Sequence, residues 1–201
     1  MSKKNKNLLI SSIRILLVLI LIVFIFLMGI RGEFTKYLEV KYSDLSFDVG
    51  FVKTDPIYGN FYANVTCLND YTFFPISKSF KTKNIHEDYP QHKSRNQYNS
   101  KIIDIFDGSD LESYITSITG GSKIPFENDG VYTQINIYLI DDAEHILVVK
   151  KVMNVLEQNN ISAEKIIFTY EKDKHVYEIW LSSYDYALTE NEIEAKVEKI
   201  K

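Results

Sequence analysis

"IRILLVLILIVFIFLMGIRGEFTKYLEVKY", Ile13–Tyr42, decides how the rest of the chain is read. Between Ile15 and Ile30 no side chain is polar or charged. As a helix that run covers about 24 Å, a little short of a bilayer core of about 30 Å. Extending it back to Leu8 makes it long enough, with Arg14 close enough to the edge for its head to snorkel outward. The run is longer than the apolar part of a secretory signal, and its end, "LMGIRGEF", lacks a small-x-small cleavage pattern. The only cysteine, Cys67, lies too far downstream for lipid attachment at this segment. The reading is an uncleaved anchor. Lys3, Lys4, Lys6 and Arg14 precede or begin the span without an acidic residue, which predicts a cytoplasmic N-terminus. From Arg31 on, the chain is expected outside the cytoplasm, and "EFTKYLEVKY" places Phe34, Tyr37, Leu38 and Lys41 at helical spacing, so the membrane helix is expected to continue beyond the bilayer.

Composition narrows the function. The chain has 201 residues and a net charge of −4. Setting the four N-terminal cations aside from the 23 basic residues leaves 19 against 27 acidic ones, a balance of −8. Such a surface does not attract nucleic acid or anionic lipid diffusely. A lone cysteine forms no internal disulfide, and Cys67 alternates with Val65 and Ala63 as a buried thiol would.

Beyond the anchor the pattern predicts an α+β fold. "LSFDVGFVK" puts Leu45, Phe47, Val49 and Phe51 on one strand face, and "FYANVTCL" does the same for Phe61, Ala63, Val65 and Cys67. A third strand contains Pro75, which requires an edge or a stop. These three strands form an antiparallel meander. Lys81–Lys101 begins as a polar loop and becomes a helix burying Tyr98, Ile102, Ile105 and Phe106. Leu111, Tyr114, Ile115 and Ile118 suggest a second short helix, stopped by Gly120-Gly121. The last third reads β-α-β-β-α: an alternating strand through Ile135, Ile137 and Leu139, a helix capped by Asp141 or Asp142 with Val149, Val152, Met153 and Leu156 on one stripe, a hairpin around "KDK", and a final helix opened by Thr189 and Glu192 as a capping box, burying Ile193, Val197 and Ile200. The expected divisions are a tail at 1–7, a transmembrane helix at 8–30, a helix/meander/helices subdomain at 31–121, a linker at 122–130, and the β-α-β-β-α subdomain at 131–201.

The segments "YLEVKY", "FDVGFVKTD" and "YGNFYANV" resemble Gram-positive membrane proteins described as YfjL-like. The likeness rests on Tyr37, Leu38, Lys41, Tyr42, Phe47, Val49, Tyr58, Gly59, Tyr62 and Ala63, and covers the first half of the chain. It implies a short N-terminal anchor with a small exported α+β domain, and supplies no catalytic residues.

No stretch carries a reaction by its spacing. His86, Glu87 and His92 fall near a zinc-protease pattern, but the histidines are six apart, with Pro90 between them, and a helix would turn them away from each other. Asp104, Asp107 and Asp110 lie around Gly108 without the calcium-loop spacing, and a helix stop with an N-cap at Asp110 explains them. "TGGSK" lacks the phosphate-loop spacing. No cofactor or metal is expected, and no catalytic residue is assigned. Aromatic side chains are the residual signal. Tyr58, Tyr62, Trp180 and Tyr184 are the candidates for contact with an envelope protein partner. The expected function is a non-enzymatic binding or regulatory module, with a hydrolase using carboxylates such as Glu127 and Asp129, or a structural assembly subunit, as alternatives.

Overall fold

The computed structural model describes residues 3–126, 130–141 and 144–201, with side chains from Ser12 onward. Glu127, Asp129 and Asp142 lie outside the described residues. The fold is α+β, in two compact units at 1–92 and 93–201. The boundary expected at 122–130 is therefore corrected: the division falls inside the helix Tyr89–Phe106, because the strand Ile115–Gly121 pairs with Tyr132–Leu139 and draws the chain before the expected linker into the second unit.

The first unit opens with α1, a single helix over Lys3–Lys41. One stretch of it is long and apolar enough to cross a membrane. Side chains from Ile15 to Phe26 are exposed, whereas Ile30, Phe34 and Leu38 are buried. Their spacing of four residues lines one stripe of the same helix, so α1 changes from exposed apolar rod to core element without a break. Around that stripe pack β1 (Phe47–Val49), β2 (Lys53–Asp55), β3 (Asn60–Cys67), β4 (Phe73–Ser79) and β5 (Ile85–Glu87). All are antiparallel, in the order β1-β3-β4-β5, with β2 also on β3. The expected first strand is broken in two. From Val49 to Lys53 the chain advances four residues while its partners, Val65 to Tyr62, advance three. That extra residue is a bulge, and it reverses the inward parity. Val52 is buried in place of Phe51, which faces solvent. Pro75 sits where β4 has a partner on one side only, since β5 pairs only with Ile76–Lys78. Cys67 is buried.

The second unit contains α2, whose range Tyr89–Phe106 begins four residues before the division, followed by β6 (Ile115–Gly121), β7 (Tyr132–Leu139), α3 (His145–Gln158), β8 (Ala163–Lys172), β9 (His175–Leu181), α4 (Glu190–Glu194) and β10 (Val197–Lys199). The sheet order is β10-β9-β8-β7-β6. β7 and β8 are parallel across α3, and the other pairs are antiparallel. One core joins Tyr98, Ile102 and Phe106 of α2, Val149, Val152, Met153 and Leu156 of α3, and Ile193 of α4 to the inward side chains of the sheet. Gly120 permits the closest approach: a Cβ there would lie 2.6 Å from the Tyr132 ring.

Two expected helices are corrected. Residues Ile115–Gly121 form a strand, preceded by a single 3-10 turn at Glu112–Tyr114. Ile115, Thr116, Ile118 and Thr119 are β-branched, and a bulge between Ile115 and Ser117 returns Ile115 and Ile118 to the same side, which imitates helical spacing. The capping box at Thr189 and Glu192 is present, but α4 ends at Glu194 and the chain then pairs with β9. Val197 is consequently half-buried on a strand, and Ile200 is exposed. The N-cap of α3 is Glu144, without a side-chain hydrogen bond, rather than Asp141. Nor does Asp110 cap a helix: Ser109 Oγ donates to the Phe106 carbonyl at the end of α2, and Gly108 takes the left-handed conformation beside it.

Candidate functional site

The second unit carries a cleft of about 820 Å³ at the end of its sheet. Local sequence explains its floor. The "KDK" turn has Asp173 and Lys174 at positive φ, the form of two-residue turn that suits a tight hairpin. That turn sets Tyr170 opposite Tyr177. The rings stack 5.4 Å apart and 16° from parallel. His145, first residue of α3, also stacks on Tyr170, at 3.8 Å and 13°. Tyr170 therefore stacks with both His145 and Tyr177. Glu144, Asp173, Glu190 and Glu194 contribute carboxylates to the lining, against the single lysine Lys172.

His145 Nε2 lies 3.0 Å from the Ile140 carbonyl oxygen. A carbonyl only accepts, so Nε2 carries the hydrogen and Nδ1 is the acceptor of the neutral ring. Burial pushes His145 below the usual histidine range, which keeps it uncharged at neutral pH. Burial also pushes the Tyr170 hydroxyl up. Aromatic rings lining a cleft together with four carboxylates can receive a cation, by charge pairing and ring attraction.

No protein-family model, curated protein or solved structure matches this chain. The geometry of its own residues therefore carries the functional argument.

The four aromatic candidates fall in two separate units. Tyr58 is exposed in the turn between β2 and β3, while Tyr62, on β3, is half-buried. Trp180 projects from the outer face of β9, 49% exposed. Its indole N–H donates to Glu178 at 2.7 Å, and Lys165 Nζ sits 3.4 Å above the ring. Tyr184 is 97% exposed, in a one-turn 3-10 segment fixed by a Ser182–Asp185 capping box.

The polar clusters weighed in the sequence do not converge. His86 is exposed and pairs with Asp88, while Glu87, the next residue, points the opposite way into the first unit. There its carboxylate accepts from Lys41 Nζ at 2.5 Å, Tyr42 hydroxyl at 2.8 Å and Tyr89 N–H at 2.5 Å. Burial alone would push Glu87 up, but these donors outweigh it and hold the carboxyl below its usual range. Glu87 thus ties the outer end of α1 to the sheet. Asp104, Asp107 and Asp110 are all exposed. Among the described residues no three His, Cys, Asp or Glu side chains gather as metal ligands.

Sequence reading missed both the cleft and the Glu87 tie. The cleft had one legible signal: a two-residue turn at Asp173-Lys174 already implies that Tyr170 faces Tyr177. The Glu87 tie joins residues 45 positions apart and had none.

Proposed function

We propose that this chain is a single-pass membrane protein with its N-terminus in the cytoplasm, its two α+β units outside, and a non-enzymatic binding or regulatory role toward an envelope partner. One observation carries the reading: α1 runs unbroken from an exposed apolar stretch into the core of the first unit, where Ile30, Phe34 and Leu38 are buried. A leader peptidase needs an extended segment after the apolar run. Here that segment is helical and packed, with Arg31 Nε bonded to the Val49 carbonyl at 2.6 Å. The cations before the span support the inward N-terminus, and the resemblance to YfjL-like proteins agrees with an exported domain. A tether also suits weak binding, because confinement raises the effective concentration of a neighbouring membrane partner.

The cleft of the second unit is suited to binding. Its lining combines the rings of His145, Tyr170 and Tyr177 with four carboxylates, which suits capture of a basic or quaternary ammonium group.

Membrane fractionation with determination of the mature N-terminus tests the reading. The expected outcome is an intact N-terminal segment in the membrane fraction, with the two units digested by protease added outside. A mature terminus near Gly32 or Glu33, with release into the medium, overturns it.

A further inference from the structure

The turn between β2 and β3, Pro56-Ile57-Tyr58-Gly59, exposes two large side chains, Ile57 at 88% and Tyr58 at 81%. Two contacts fix its level along α1. Phe26, in the last turns of the exposed apolar stretch, meets Phe61 near the start of β3 with ring centres 5.5 Å apart. Tyr42, just beyond the end of α1, meets Phe47, which pairs with Cys67 at the end of β3. β3 therefore runs in the same direction as α1, and its beginning lies at the level where the apolar stretch ends. The turn precedes Phe61 and extends farther toward the apolar end. Gly59, the near end of the turn, is two residues before Phe61, so at about 3.3 Å per strand residue the tip reaches roughly 7 Å past Phe61, within the depth of about 5–10 Å at which an apolar face sits among lipid headgroups.

The rest of that end has matching chemistry. The β4–β5 turn lies beside the tip, since Phe80 N–H donates to the Gly59 carbonyl at 2.9 Å and Phe80 packs on Phe61 with ring centres 4.6 Å apart. Lys81 and Lys83 are exposed in that turn, and Lys53 is exposed on β2. The opposite end of the sheet also exposes apolar side chains, Leu68 and Tyr71, but beside Asp44 and Asp70. The acidic balance of the whole chain argues against diffuse attraction to anionic lipid, whereas these lysines act locally. The backbone of the tip is also satisfied from within: Ile57 and Tyr58 N–H groups both donate to Asp55 Oδ1, at 3.0 and 3.1 Å. Entry into a poorly hydrated layer leaves neither donor unpaired.

We propose that the Ile57-Tyr58 tip enters the headgroup layer of the bilayer that α1 crosses, with Lys53, Lys81 and Lys83 on anionic phospholipid headgroups. The inference rests on the anchor reading. Two attachments, a spanning helix and a shallow wedge, fix the tilt of the first unit against the membrane, which a helix alone leaves free.

Full-length chain in nanodiscs of anionic phospholipid tests this, using a polarity-sensitive dye on Ile57→Cys, Leu19→Cys or Tyr71→Cys and lipids carrying a quencher at shallow or deep positions. Cys67 is buried and serves as the unlabelled control. The expected result is loss of emission at Ile57→Cys with shallow quencher, at Leu19→Cys with deep quencher, and at Tyr71→Cys with neither. Exchange to zwitterionic lipid, or Lys81→Gln with Lys83→Gln, weakens the shallow quenching. An Ile57→Cys label in water while Leu19→Cys is quenched overturns the wedge and leaves the anchor standing. An Ile57→Cys label shielded from water but untouched by lipid quencher places protein over the tip and overturns the wedge equally. An unquenched Leu19→Cys label overturns the anchor, and the wedge with it.

Discussion

The two units bury their cores by different means. In the second, α2, α3 and α4 supply the helical layer from within 89–194, and α3 crosses between the parallel strands it covers. In the first, the helical side of the core is α1, the same helix whose other end is an exposed apolar rod. Val49, Val65, Phe74 and Ile76 of its sheet share one core with Ile30, Phe34 and Leu38 of that helix, completed by Tyr89 at the start of α2. The second unit therefore has the means to fold from its own sequence, while the first is complete only with α1 in place. On the anchoring proposed above, α1 would position the adjoining unit as well as retain it.

Removing one fully buried phenylalanine from each core tests that contrast most severely. Phe34→Ala is expected to destabilise the first unit by about 3–5 kcal/mol, the usual cost of so large a cavity, and Phe168→Ala the second by a similar amount. Amide hydrogen exchange on the full chain should show each loss confined to its own unit: β3 and β4 for Phe34→Ala, β7 and β8 for Phe168→Ala. Loss of protection in both units from either change would mean that they unfold as one, and the comparison would break.

The Glu87 tie sharpens the contrast at a smaller scale. Its side chain is buried, and it accepts from Lys41, Tyr42 and the Tyr89 backbone. Glu87→Gln removes the charge and exchanges one acceptor oxygen for a donor, so about 1–3 kcal/mol should be lost from the first unit at neutral pH. The pH dependence has a definite sign. A carboxyl held below its unfolded value contributes fully above about pH 4.3, and the contribution disappears as the pH falls through the folded value. The gap between native chain and variant, followed by exchange in β5 and the end of α1, should therefore close in acid. A gap that stays constant to low pH would show that Glu87 acts by shape alone. In the second unit His145 has the same sense by another route: burial lowers it, the unfolded chain binds the proton first, and stability falls as pH drops below about 6.5.

What could be read from the sequence follows the range of the interactions. The α1 stripe, the β3 alternation, the α3 stripe and the Thr189 capping box are set within a few residues, and all were legible. Misreadings arose where a bulge changed the count. An extra residue after Val49 turned Phe51 outward, and another near Thr116 let a strand imitate a helix. The end of the chain was misread for a different reason: the open edge of β9 takes Val197–Lys199 as a strand, and local helix spacing does not register a distant edge. Of the candidate site, the exposure of Trp180 and Tyr184 agreed with alternation and turn chemistry, while the cleft needed α3, the β8–β9 hairpin and α4 brought together.

The smallest expected effect on stability concerns the residues with the largest expected effect on binding. Tyr184 presents almost its whole side chain to solvent, and its backbone N–H, not its ring, is what the Ser182 cap uses. Trp180 lies on an open face, 49% exposed beside Glu178 and Lys165, and belongs to neither buried core, so little core is lost with it. Tyr184→Ala and Trp180→Ala should each change the stability of the second unit by no more than about 0.5 kcal/mol, the ordinary range for surface positions. Aromatic side chains held out on a fixed frame are nevertheless the type that anchors a partner, because a ring gives much contact area for little lost rotamer freedom. In-cell crosslinking from the second unit should thus lose its captured partner in the double variant while the melting temperature holds. Glu190→Gln with Glu194→Gln separates the cleft from this surface. If capture survives the aromatic changes and falls with the carboxylates, the partner is held by the acidic cleft rather than by the open face, and the second unit works at the end of its sheet.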